Sequence, residues 1–141
     1  MVFDERSIAR MLEKLREYHS DMSQFGSMSL DQFLAQRVTR YAIERMLFLS
    51  IESILDILES ILSGRFNAVS DTYEEIIKNS LARNIIPPAL YGQLKGIGGF
   101  RNVLAHEYLE LDSTLVHEGF RKILNVIPLF LDEIENQIAQ S

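Results

Sequence analysis

The 141 residues predict an all-α fold, an up-and-down bundle of about five helices in a single domain spanning 1–141. Three observations carry this expectation. Apolar residues recur at helical spacing almost from end to end, and Val, Ile and Thr are scattered rather than gathered into alternating runs. No Asn-Gly hairpin turn occurs. A length of one ordinary domain with 47% hydrophobic residues is enough to build a core. The absence of cysteine excludes disulfides, Cys-ligated zinc, iron–sulfur clusters and a thiol nucleophile.

A first helix is expected over about Asp4–Gln24, with Ile8, Met11, Leu12, Leu15 and Tyr18 on one face. After the loop Phe25-Gly26-Ser27-Met28, Ser29 and Gln32 have capping-box spacing, and Met28 and Phe33 are placed to staple it. The second helix is expected to run unbroken from Ser29 to about Leu62. Its later half has a narrow polar stripe (Glu52, Ser53, Asp56, Glu59, Ser60, Ser63) and is otherwise apolar. Such a helix must be covered on several sides, which suggests a second subunit. Ser63-Gly64 is expected to end it.

Asp71 or Thr72 then caps a short third helix ending near Arg83, and Pro87-Pro88 opens a fourth. That fourth helix carries Gly92, Gly96, Gly98 and Gly99. Because Gly92, Gly96 and Gly99 share one face, close approach of another element is expected in preference to a break. A last helix from Asp112 or Ser113 to about Gln140 is expected to kink at Pro128, whose ring crowds the carbonyl of Leu124.

The net charge of −6 argues against a general nucleic-acid coat. The distribution is uneven. Ile76 to His106 contains Lys78, Arg83, Lys95 and Arg101 but no acid, which fits a well-buried segment that simply lacks acids or, alternatively, a local phosphate-binding site. The chain opens without a signal-peptide pattern, and its most apolar stretch, Met46–Leu62, holds three acids. A soluble cytoplasmic protein with no membrane role is expected.

Directly after the glycines stands Arg101-Asn102-Val103-Leu104-Ala105-His106-Glu107-Tyr108. Asn102 and His106 are i, i+4 on one helix face, and Arg101 and Tyr108 are i, i+7. This segment resembles the HEPN superfamily, whose hallmark is Arg, a polar residue, a few more residues and His. The added Tyr is similar to the HepT-type toxins. Arg40-Tyr41-Ala42-Ile43-Glu44-Arg45, Thr72-Tyr73-Glu74-Glu75 and Gly99-Phe100-Arg101-Asn102 resemble the same family in the same order.

The resemblance implies the toxin of a type VII toxin–antitoxin system: a metal-independent endoribonuclease acting on RNA, with tRNA the expected substrate. It implies a twofold homodimer that brings two motifs into one cleft, with Arg101 and His106 as the catalytic pair. It also implies a minimal nucleotidyltransferase antitoxin of MntA type that adds AMP to Tyr108. ATP and magnesium belong to that partner, so no cofactor is expected in this chain.

The side chains suit this chemistry in their own right. An imidazole can move the 2′-OH proton near neutral pH. A guanidinium keeps its charge and grips phosphate with parallel hydrogen bonds. Asn102 could orient the imidazole or bind a phosphate oxygen, and AMP on Tyr108 would bring bulk and negative charge into the RNA path. Lys78, Arg83, Lys95 and Arg40 are further candidate RNA contacts.

Plainer readings compete. Arg101 and His106 are also cations at a helix C-terminus. Arg40–Glu44 is a surface ion pair that could border the cleft, as could Asp56. His19 and His117 are expected to be surface or cap residues. At the level of function, the alternatives are a catalytically silent HEPN module serving a nucleotidyltransferase as scaffold or acceptor, and a plain helical dimerisation domain.

Overall fold

A computed structural model describes residues 4–107 and 109–140. Among them are seven α-helices and no strand: α1 (Glu5–Ser23), α2 (Leu30–Ala35), α3 (Arg37–Phe66), α4 (Tyr73–Ala82), α5 (Pro88–Leu94), α6 (Ile97–His106) and α7 (Ser113–Ala139). The start signals are local and chemical. Asp4 accepts from the N–H groups of Arg6 and Ser7 at 3.0 and 3.3 Å. Ser29 and Gln32 form a reciprocal capping box at 3.1 and 2.9 Å. Thr72 caps α4 through the Glu75 N–H, Pro88 occupies the first position of α5, and Asp112 caps α7.

The expected second helix is two helices. The chain leaves helical geometry at Gln36 (φ −106°, ψ 78°), and the Arg40 Nη1 donates to the Leu34 carbonyl at 2.8 Å. Arg40 thereby replaces a partner that the break removes. At the other end Ser63-Gly64 stays helical. The stop falls at Asn67, left-handed at φ 50°, where the Ala68 N–H closes on the Leu62 carbonyl at 3.0 Å.

α3 is the axis of the molecule. Leu47, Ile51, Ile54, Leu55, Ile57, Leu58, Ile61 and Leu62 are all buried in one core with Ile8 and Leu15 of α1, Ile77 of α4, and Phe120, Ile127 and Phe130 of α7. The helices of this one chain therefore cover most of the apolar later half of α3, while Val38 and Tyr41 nearer its start stay exposed.

The expected fourth helix is also two. Gly96 takes φ 92°, a conformation glycine adopts at little cost, and the axis resets between α5 and α6. The expected crowded face of Gly92, Gly96 and Gly99 is open, since a Cβ there would meet nothing within 4 Å. Close approach occurs instead at Gly98, where a Cβ would lie 2.6 Å from the Tyr73 Cβ. It recurs at Gly119 of α7, where a Cβ would overlap the Phe100 ring of α6.

Two histidines expected at the surface tie helices together. His19 Nε2 of α1 donates to the Leu124 carbonyl of α7 at 3.0 Å. That carbonyl is the one Pro128, four residues on and lacking an N–H, cannot engage, and α7 continues as one helix past it. His117, 6% exposed, donates through Nε2 to the Met28 carbonyl at 2.9 Å and packs against Phe33. No helix among the described residues is long and apolar enough to cross a membrane.

Candidate nuclease site

The site begins with what holds α6. The Glu74 side chain, in the first turn of α4, accepts from the backbone N–H of Gly96 at 3.0 and 3.2 Å and of Gly98 at 3.2 Å. A carboxylate borrowed from another helix thus satisfies two amides at the start of α6 and complements its positive end. With Gly98 against Tyr73, the helix has little room to slide.

This placement brings Arg101 down between α3 and α4. Its Nε donates to Glu52 Oε1 of α3 at 2.6 Å, and Nη1 donates to Asn102 Oδ1 at 3.2 Å. The guanidinium carbon stands 5.0 Å from the Tyr73 ring centroid and 5.2 Å from that of Phe48, both within cation–π range. The side chain is only 17% exposed. The hydrogen bond that Arg101 donates to Glu52 raises the guanidinium pKa above its already high ordinary value, so the group stays charged. Nε and one N–H of Nη1 are engaged within the chain, and among the described residues Nη2 makes no hydrogen bond.

Asp56, one turn beyond Glu52, has its pKa raised by burial first and then by the like charges of Glu52 and Glu59, with Arg101 opposing. It flanks the guanidinium electrostatically without bonding to it. His106 is the last residue of α6 and is exposed to solvent. One helix therefore carries a clamped cation near its middle and an open imidazole at its end. Asn102, a candidate to orient His106 or to bind a phosphate oxygen, accepts through Oδ1 from Arg101 Nη1. Tyr108 lies outside the described residues.

The remaining expected cations lie on or beside α3, α4 and α5. Lys78 is exposed on α4, and Arg83 covers the Phe66 ring at 5.4 Å. Lys95 is exposed at the break between α5 and α6, beside a groove formed with α7. Arg40 serves the α2–α3 break and pairs with Glu44 at 3.9 Å, both side chains largely covered rather than loose on the surface. Burial raises the Glu44 pKa, against the pull of Arg40.

Sequence reasoning did not assign roles to Glu52, Phe48, Tyr73 or Glu74. For Glu52 a signal existed, namely a carboxylate on the narrow polar stripe of an otherwise apolar helix. Among the described residues no group of three His, Asp or Glu side chains is arranged to hold a metal ion.

Residues 8–134 match the family model described as ribonuclease HepT-like. The chain is 29% identical to the tRNA nuclease HepT of Aphanizomenon flos-aquae over 131 residues, which cover 93% of this chain and 89% of the relative. The fold superposes on YutE, a cytosolic protein of unknown function from Bacillus subtilis, with a TM-score of 0.82, 20% identity and coverage of 99% and 94% of the two chains. It superposes on a tri-AMPylated HEPN toxin of Shewanella oneidensis, seen in complex with its MNT antitoxin, with a TM-score of 0.79, 20% identity and coverage of 92% and 96%.

Proposed function

Because this chain belongs to the HepT-like ribonuclease family, we propose that it is the RNA-cleaving toxin of a toxin–antitoxin pair, acting in the cytoplasm on tRNA without a metal ion. The observation that carries the reading is the pairing on α6 of a clamped, permanently charged guanidinium with an open imidazole. The tRNA nuclease relative supports the substrate class.

In the proposed reaction the 2′-oxygen attacks phosphorus and His106 takes its proton. The Arg101 Nη2 offsets charge gathering on the phosphoryl oxygens. The P–O5′ bond breaks, and the departing oxygen needs a proton from the opposite side, which His106 of the partner subunit would supply. A twofold dimer is therefore part of the proposal. So is control by a nucleotidyltransferase antitoxin that places AMP on Tyr108, a reading supported by the AMPylated toxin of similar fold. Each AMP adds a phosphate charge where the substrate phosphate must come.

Glu52 gives a second reading some footing. A carboxylate 2.6 Å from Arg101 Nε competes with phosphate for the same cation, as a silent scaffold or AMP acceptor would tolerate. One assay separates the two. Purified protein is incubated with tRNA and EDTA: cleavage that survives chelation and vanishes in His106→Ala supports the nuclease, and intact tRNA throughout supports the scaffold.

A further inference from the structure

Two cavities flank the Arg101 clamp, and they differ in chemistry. The larger, about 630 Å³, carries Glu59, Asp71 and Glu74 beside Asn102, an acidic surround that repels a polyanion. The other, about 310 Å³, is formed by Tyr41, Glu44, Arg45 and Phe48 of α3 with Leu104 and Ala105 of α6. It is continuous with the site on both sides. Phe48 is the same ring that Arg101 covers, and Ala105 directly precedes His106. Its walls offer an open aromatic ring in Tyr41, 56% exposed, beside Phe48, which the Arg45 guanidinium at 5.5 Å covers together with Arg101. Arg40 stands 5.7 Å from the Tyr41 ring. Such cation-backed rings favour a planar heterocycle over an aliphatic side chain.

One carboxylate faces this aromatic slot. Glu44 is paired with Arg40 at 3.9 Å, an ion-pair separation too long for a hydrogen bond, so its acceptor oxygens are not saturated by that contact. We propose that the cavity is a nucleobase subsite, and that Glu44 together with Arg45 selects a base bearing an exocyclic amino group next to the scissile phosphate. The carboxylate accepts from the amino group, and the guanidinium donates to the ring nitrogen or carbonyl beside it. Cytosine, adenine and guanine each present such an adjacent donor and acceptor. Uracil presents two carbonyl oxygens around one N–H, and Glu44 repels at least one of them. The inference rests on the nuclease reading for its role, but the cavity can be tested without catalysis.

The test has two arms. In the first, full-length protein labelled with ¹⁵N is titrated with CMP, AMP, GMP and UMP and followed by NMR. The expected result is shifted amides at residues 41–48 and 104–105, with UMP bound about tenfold more weakly than the best of the others. Glu44→Gln should bring UMP within about threefold of the rest, and Tyr41→Ala should weaken all four alike. Equal binding of UMP by the unaltered protein, or shifts confined to other residues, would overturn the proposal. In the second arm, fragment ends from tRNA digests are sequenced. Depletion of uridine at one position flanking the cut, relieved in Glu44→Gln, is expected, and cleavage indifferent to the flanking base overturns the subsite. Selective binding without any RNA cleavage would leave the subsite standing and remove the nuclease reading.

Discussion

Glu52 Oε1 accepts a 2.6 Å hydrogen bond from Arg101 Nε across 49 residues of sequence. One helix thereby decides where the cation of another can point. The bond orients the guanidinium and at the same time offsets part of its charge, so its removal should act on orientation and on attraction in opposite senses. Glu52→Gln is expected to lower kcat for tRNA cleavage by about a hundredfold, because a loosened guanidinium misses the phosphoryl oxygens. KM should stay level or fall, since a negative charge has left the site. Steady-state kinetics that report the two constants separately check this. Arg101→Lys should not rescue activity, having one point charge where a planar fork is held.

The glycines of α6 and α7 make a graded series for denaturant unfolding. Gly98→Ala drives a Cβ to 2.6 Å from the Tyr73 Cβ, and Gly119→Ala drives one into the Phe100 ring, so each should lose about 1–3 kcal/mol. Gly99→Ala meets nothing within 4 Å inside the same helix and should gain about 0.5–1 kcal/mol.

The Glu74 carboxylate serves two amides at the start of α6. Glu74→Ala should therefore cost about 1–2 kcal/mol, in the range of a lost helix cap. Hydrogen exchange is expected to speed up most at Gly96 and Gly98, with the core amides of α3 following only the global change.

His19 and Pro128 should show coupled energetics. His19→Ala leaves the Leu124 carbonyl without its 3.0 Å donor and should cost about 1–3 kcal/mol. In a Pro128→Ala background the new N–H can take that carbonyl, so the same His19 change should cost less. A double-mutant cycle measured by urea unfolding reads the difference directly.

Glu44 supplies a pH dependence. Burial holds its folded pKa above the ordinary 4.5. The folded protein therefore binds this proton more tightly than the unfolded chain does. The contribution is fully present below the unfolded pKa and is lost as pH rises through the folded one. Glu44→Gln lacks that loss, so its denaturation midpoint should improve relative to the unaltered protein as pH rises above the ordinary 4.5.

What the sequence reveals divides by distance along the chain. Asp4, Ser29 with Gln32, Thr72, Pro88 and Asp112 act within four residues of themselves, and each marks its helix start without knowledge of the fold. The family motif on Arg101 and His106 is equally local. The break at Gln36 is not legible, because no proline or glycine stands there and its compensation comes from the Arg40 side chain. At Gly96 the residue type signals special backbone, but whether it breaks the helix depends on Glu74, 22 residues away. His19 reads as a surface residue until Leu124, 105 residues on, is placed beside it.

Gly119 has no side chain and stands on a different helix from the motif, yet the Phe100 ring fills the space it leaves. Phe100 immediately precedes Arg101, so this notch in α7 works as a keyway that stops α6 from rotating about its own axis. The aim of the guanidinium is thus locked from the rear of the helix that bears it. A lineage that enlarged residue 119 would have to re-cut Phe100 in step, or lose its active-site bearing with every residue of the motif still in place.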